Sequence, residues 1–266
     1  PASCAFRVDT AVPHVNVSAP AAGSYSKTST MGVVVDYWDD DGVDPATVRI
    51  LVNGVERTSE FVVGETQASA TLADLPEGVV TLLASASDWV GQSGSDAIEL
   101  TIDTRAPTVT IDAPAALVAT NAPAARVVYD GTGAPIDLAR VEMWLDGESA
   151  TGLFAVGAAE ALGALARMPT LADGMHTLRV AVADLAGNNG ESSREFRIDS
   201  TPPGVAFTDP PTFTNDATPA IRLAYADGEG SGVDTSTVRV YLSSGEIAPG
   251  GEPAAERDIT ALFERG

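Results

Sequence analysis

Apolar residues alternate with other residues in three stretches of this chain, with the period of a half-buried strand. The first stretch is Thr47-Val48-Arg49-Ile50-Leu51-Val52-Asn53-Gly54. The second is Arg140-Val141-Glu142-Met143-Trp144-Leu145-Asp146-Gly147. The third is Thr237-Val238-Arg239-Val240-Tyr241-Leu242. The alternation predicts core positions at Val48, Ile50 and Val52, and at Val141, Met143 and Leu145, and Trp144 reads as core too. Asn53-Gly54 and Asp146-Gly147 predict hairpin turns, because both residues tolerate positive φ. Two longer runs, Leu75 to Gln92 and Leu171 to Asn188, match each other and read as a strand closed by a polar turn. They add Leu82, Leu178, Val180 and Val182 to the expected core. Only the Ala-rich window from Val156 to Arg167 favours helix, and a loop insertion in a β domain explains it equally well.

These stretches belong to a repeat. Phe6-Arg7-Val8-Asp9-Thr10, Leu100-Thr101-Ile102-Asp103-Thr104 and Phe196-Arg197-Ile198-Asp199-Ser200 each lead into a proline, and the aspartates recur after 94 and 96 residues. That period is the size of one immunoglobulin-like sandwich. The expected organisation is a final strand of a preceding domain at 1–9, whole domains at 10–104 and 105–200, and the first part of another at 201–266. The fold class is therefore all-β: tandem immunoglobulin-like sandwiches in an elongated array, each unit touching only its neighbours.

The phrases Asp-Thr/Ser before Pro, Ser231-Gly232-Val233-Asp234, Asp173-Gly174-Met175-His176-Thr177-Leu178 and Asp184-Leu185-Ala186-Gly187-Asn188 resemble the bacterial immunoglobulin-like repeats of large surface, adhesin and fibre proteins. The resemblance implies a secreted or cell-surface protein whose nearest partners are neighbouring domains of the same polypeptide and, in a fibre, further copies. The first unit departs from the pattern at Trp89-Val90-Gly91-Gln92, and the second at Gly133-Ala134-Pro135. The third unit stops short of the strands that would close its sandwich. The frame fits either a window on a longer polypeptide or completion by strands from another chain.

Composition narrows the function. Asp and Glu number 37 against 15 Lys and Arg, for a net charge of −22. Nucleic acid and anionic membranes would be repelled. Such acidity suits either divalent cations or a solvated coat. The single cysteine, Cys4, excludes an internal disulfide; a lipid-anchoring role competes with a bland buried or incidental thiol. No apolar run is long enough for a membrane span, and no signal segment is visible.

No catalytic constellation is legible. His14 and His176 lack a nucleophile motif around them, and Gly228 to Gly232 lacks the Lys of a phosphate loop. Carboxylate pairs recur with the repeat, which speaks for structure before glycosidase chemistry.

Metal binding is the one chemical expectation, with Ca²⁺ the cation that carboxylate oxygens suit. One candidate is the loop holding Asp39, Asp41 and Asp44, echoed by Asp227 and Asp234. The other is the junction between domains, with Asp184, Asn188 and Asp199 at one and Asp88 and Asp103 at the next. The first of these is expected to hold an ion better because it has the Asn. Against both stands the plain reading that Asp, Gly and Pro build turns and stiff linkers. The expected function is a non-enzymatic stalk, sheath or fibre segment. An adhesive module using exposed Trp38 and Trp89 is the alternative, as is an accessory domain of a secreted hydrolase.

Overall fold

The structure is a computed structural model that describes Cys4, residues 7–166, 170–228, 230–242 and 257–263. It is all-β, and among the described residues there is no α-helix. None is therefore long and apolar enough to cross a membrane.

The first set of strands is β1 (His14–Ala19), β2 (Tyr25–Ser26), β3 (Met31–Trp38), β4 (Val43–Val52), β5 (Val55–Glu56), β6 (Val62–Val63), β7 (Gln67–Leu72), β8 (Gly78–Asp88) and β9 (Ser93–Ile102). They form one sheet in the order β1-β3-β7-β6 and a second in the order β2-β9-β8-β4-β5. These are the two sheets of an immunoglobulin-type sandwich. The second set repeats the plan with β10 (Thr108–Ala113), β11 (Leu117–Val118), β12 (Ala124–Asp130), β13 (Glu142–Leu145), β14 (Glu148–Ser149), β15 (Phe154–Val156), β16 (Glu160–Ala164), β17 (Gly174–Ala183) and β18 (Asn189–Ile198). Its sheet orders are β10-β12-β16-β15 and β11-β18-β17-β13-β14. Beyond them lie β19 (Gly204–Asp209), β20 (Arg222–Ala226), β21 (Tyr241–Leu242) and β22 (Arg257–Asp258), in two-stranded pairs.

The alternation places its residues where the sequence predicts. Val48, Ile50, Val52, Leu82, Val141, Met143, Leu145, Leu178, Val180 and Val182 are all buried. Asn53 (φ 49°) and Gly54 (φ 78°) turn β4 into β5, and Asp146 (φ 53°) and Gly147 (φ 83°) turn β13 into β14. The two turns are also pinned alike, since the Thr81 and Thr177 amides donate to the Asn53 and Asp146 side chains at 2.8 and 2.9 Å.

Three expectations are corrected. The Val156–Arg167 window is neither helix nor loop insertion where it is described: Val156 ends β15, and Glu160–Ala164 is β16, its hairpin partner. Cross-strand pairing and burial of Ala161 and Leu165 outweigh alanine's few tenths of a kcal/mol of helix preference. Trp144 is only half-buried. It faces out between Met143 and Leu145, and the Arg179 guanidinium lies 5.0 Å over its ring. In the expected strand Cys4–Asp9, the described residues Cys4 and Arg7–Asp9 carry no strand, Ala5 and Phe6 lie outside the described residues, and Cys4 is exposed.

Packing density divides the chain into two compact units, at places other than the repeat boundaries. The first comprises 1–116, 122–170 and 175–196; the second comprises 117–121, 171–174 and 197–266. Both linkers of interest fall cleanly: Asp103 and all its partners lie in the first unit, Asp199 and its partners in the second.

A feature absent from the expected pattern recurs three times. Thr58, Thr151 and Thr260 each open a single 3₁₀ turn, and each hydroxyl accepts a backbone amide (Ile50 of β4, Met143 of β13, and Val240 just before β21) at 2.8–2.9 Å. A phenylalanine follows three residues later each time: Phe61, Phe154 and Phe263.

Candidate functional site

The linker aspartate organises each joint, and the loops its carboxylate meets belong to the segment that follows it. At the second joint Asp103 is 1% exposed. Its amide donates to the Ser26 carbonyl at 2.9 Å, and the next residue, Thr104, donates its amide to Glu77 at 3.1 Å. Both partners belong to the preceding sandwich. The carboxylate turns the other way. Its Oδ2 accepts from the buried Ala134 amide at 2.6 Å and its Oδ1 from Arg105 at 3.1 Å. Asn188 Nδ2 donates to the Asp103 carbonyl at 2.8 Å and to Asp184 Oδ2 at 2.9 Å, while the Asn188 amide donates to Asp184 Oδ1 at 2.9 Å. Every carboxylate oxygen of Asp103 and Asp184 therefore has a donor. That is the condition under which buried carboxylates are tolerated. Gly133 is required here: a Cβ at that position would lie 2.5 Å from the Asp103 carboxyl carbon.

The first joint uses the same positions with different chemistry. Asp88, equivalent to Asp184, is 3% exposed. Its Oδ1 accepts from the Val90 and Gln92 amides at 2.9 Å each. Gln92 stands where Asn188 does, and its Nε2 donates to the Asp9 carbonyl at 3.2 Å. Among the described residues no donor reaches Asp88 Oδ2 or Asp9 Oδ2, although both are shielded from solvent. The loop after β3 contributes Asp39 where the loop after β12 brings the Ala134 amide. One oxygen each from Asp9, Asp39 and Asp88 lie within 4.8 Å of one another. At an effective dielectric of about 20, each such pair of charges repels by about 3–4 kcal/mol.

The linkers lie against their own following sandwich through glycines at the start of the last strand. A Cβ at Gly94 would sit 1.9 Å from the Pro13 carbonyl oxygen, and one at Gly190 would sit 2.1 Å from that of Pro107.

In the second unit, the Asp199 amide donates to the Val118 carbonyl at 3.0 Å and its carboxylate accepts from the Ser231 amide. Asp227 Oδ2 accepts from Gly232 at 2.7 Å, and its buried Oδ1 has no donor among the described residues. Asp173 holds Ser200 through both its amide (2.9 Å) and its hydroxyl (2.7 Å), and Thr201 through its hydroxyl (2.8 Å). The Ser200 bonds, together with the Thr201 hydroxyl, keep the Asp173 carboxyl below the usual carboxylate range; the Ser231 bond does the same for Asp199.

These placements correct the expected grouping. Asp184 and Asn188 meet Asp103, not Asp199, and Asp88 meets Asp9, not Asp103. The reason is geometric. The last strand of each sandwich runs ten residues from its hairpin to the next linker, which is about 33 Å. A hairpin and the linker that follows it therefore stand at opposite ends. The Asn expected to help hold an ion instead spends its amide on Asp184 and closes the second joint with hydrogen bonds. Nor do Asp39, Asp41 and Asp44 make one site. Asp41 pairs with Arg7, and Asp44 accepts from Ala46 at 3.0 Å within a turn. Asp234 likewise caps a 3₁₀ turn by accepting from Ser236 at 2.9 Å.

Sequence reading missed Asp9 as a site residue, and also Glu77, Gln92 and Ala134. The signal for Glu77 was present: an acid precedes the glycine in both Leu75-Pro76-Glu77-Gly78 and Leu171-Ala172-Asp173-Gly174. Ala134 acts through its backbone amide, which leaves no mark on residue identity. Trp38 and Trp89 are 58% and 67% exposed, as expected, and the His14 ring stacks on Trp38 at 5.3 Å.

No family model matches the chain, and no curated protein matches it in sequence. Among solved structures it is similar to the fibronectin(III)-like modules of Clostridium thermocellum CbhA, at 17% identity and a TM-score of 0.41 over 70% of this chain and 94% of that one. It is also similar to a Ca²⁺-stabilised, ice-binding adhesin of an Antarctic bacterium, at 17% identity and a TM-score of 0.35 over 76% of this chain and 52% of that one. A third likeness is to the titin domains z1z2, at 13% identity and a TM-score of 0.30 over 72% of this chain and 98% of that one. Likeness at these identities extends to the β-sandwich fold class and no further.

Proposed function

We propose that the chain is a spacer segment of an extracellular bacterial surface or fibre protein, with joints built to hold consecutive sandwiches in a fixed orientation. The observation that carries this reading is the double engagement of Asp103. Its backbone amide bonds the sandwich behind it and its carboxylate bonds the sandwich ahead, so one buried residue fastens both. Thr104 on Glu77 and Asn188 on the Asp103 carbonyl reinforce the two sides. A linker meant only to tether would leave such groups in water. A chain whose buried polar contacts lie at its joints is suited to holding position; catalysis has no part in this reading.

Residual dipolar couplings on the full chain test it. The wild type is expected to report one alignment tensor for the two sandwiches, and Asp103→Ala two. Two independent tensors in the wild type would sink the spacer reading. Exposed Trp38 and Trp89 support a second reading, an adhesive surface. A glycan screen with a Trp38→Ala control separates the two, since the spacer reading predicts no tryptophan-dependent binding.

A further inference from the structure

We propose that Asp9, Asp39 and Asp88 together bind one divalent cation, and that the first joint is closed by this ion while the second is closed by hydrogen bonds alone. Three negative oxygens converge within 4.8 Å. Convergence of acids at a surface is ordinary, but two of these side chains carry an oxygen that is not at the surface. Asp88 is 3% exposed, and both its Oδ2 and the Oδ2 of Asp9 are cut off from water without any donor. Buried carboxylate oxygens are almost always paired. With Val90 and Gln92 both committed to Asp88 Oδ1, what completes the pair at Oδ2 is a cation.

The second joint supplies the internal control. There the corresponding loops bring donors in place of a third acid: the Ala134 amide to Asp103, and Asn188 Nδ2 to Asp184. The same architecture is solved once with N–H groups and once with acceptors only. The all-carboxylate donor set is that of a hard cation, with no histidine or cysteine to favour zinc. Oxygens on one Ca²⁺ at about 2.3–2.6 Å stand up to about 5 Å apart. A group of oxygens within 4.8 Å of one another has about the span that one Ca²⁺ bridges. Ca²⁺ would fasten the segment before β1 to the loops after β3 and β8.

Terbium luminescence on the full chain tests this, because Trp38 and Trp89 each adjoin a ligand in sequence and sensitise bound Tb³⁺. The expected result is saturable emission, displaced by Ca²⁺ and less readily by Mg²⁺. Asp39→Asn and Asp9→Ala should each weaken it at least about tenfold by removing a charged ligand. Asp40→Asn, which removes one charge from an exposed neighbour in the same loop, and Asp184→Asn at the second joint should leave it unchanged. Circular dichroism confirms that each variant is folded. Absence of sensitised emission in the wild type, or equal weakening by Asp39→Asn and Asp40→Asn, would overturn the proposal. Either outcome would leave the role of Asp103 untouched, since that residue is tested by its own couplings.

Discussion

The joints at Asp9 and Asp103 occupy the same place in consecutive sandwiches and solve one problem in opposite ways. Each places a linker carboxylate, half-buried Asp9 or buried Asp103, beside a buried hairpin carboxylate, Asp88 or Asp184. At Asp103 the surrounding loops supply N–H groups, and every oxygen is satisfied. At Asp9 the loop after β3 supplies a further acid, and two buried oxygens lack donors. The difference rests on a few residues: Asp39 against the Gly133-Ala134 backbone, and Gln92 against Asn188. It teaches that a repeat can keep the geometry of a joint while changing the groups that meet there.

The largest expected effect treats the two joints alike. Gly94→Ala and Gly190→Ala each drive a Cβ into a proline carbonyl, at 1.9 and 2.1 Å. Each should cost about 3 kcal/mol or more, because backbone must move to relieve the clash; urea unfolding with and without Ca²⁺ measures it. Similar losses in both conditions would confirm that linker packing is common to the joints, and a negligible loss would show that the linker does not lie on its strand.

The next effect separates them. Asp103→Ala leaves the Ala134 amide buried without an acceptor, at a cost of about 2–3 kcal/mol that Ca²⁺ should not alter. In contrast, Ca²⁺ at about a hundred times its Kd should stabilise the wild type's first sandwich by about 2.7 kcal/mol. Asp39→Asn should cut that gain to about half or less and, by removing its repulsion with the other two carboxylates, should raise the metal-free midpoint. A Ca²⁺ response that survives Asp39→Asn but vanishes in Asp103→Ala would invert the assignment of the joints.

Asn188→Ala should cost about 1–2 kcal/mol, since it frees Asp184 Oδ2 of its donor. It should also make the second joint newly sensitive to Ca²⁺, which calorimetric titration would detect as additional binding heat.

The smallest effect concerns acid. The Asp173 carboxyl is held below its ordinary value by its bonds to Ser200 and Thr201. A depressed folded pKa contributes stability above the unfolded value, near about 4, and that contribution is lost as pH falls through the lower folded value. Amide exchange at Ser200 should therefore accelerate only below about pH 4, and Asp173→Asn should flatten the profile. Acceleration already at neutral pH would refute the role of Asp173.

What the sequence by itself determined is the local and periodic part. Strand alternation marked the core residues from Val48 to Val182, because side-chain direction in a strand follows from position alone. Asn53-Gly54 and Asp146-Gly147 specified their turns, because few residues accept positive φ. The spacing of Asp9, Asp103 and Asp199 specified the repeat and, with the hairpin carboxylates Asp88 and Asp184, named half of each joint. Tertiary structure decided which carboxylates meet. A ten-residue strand separates each hairpin from the linker after it, so Asp88 pairs with an aspartate 79 residues earlier rather than one 15 residues later. It also decided whether the meeting is satisfied, because the deciding donor at Asp103 is the backbone amide of Ala134. Every residue but proline carries such an amide, and only the fold aims it.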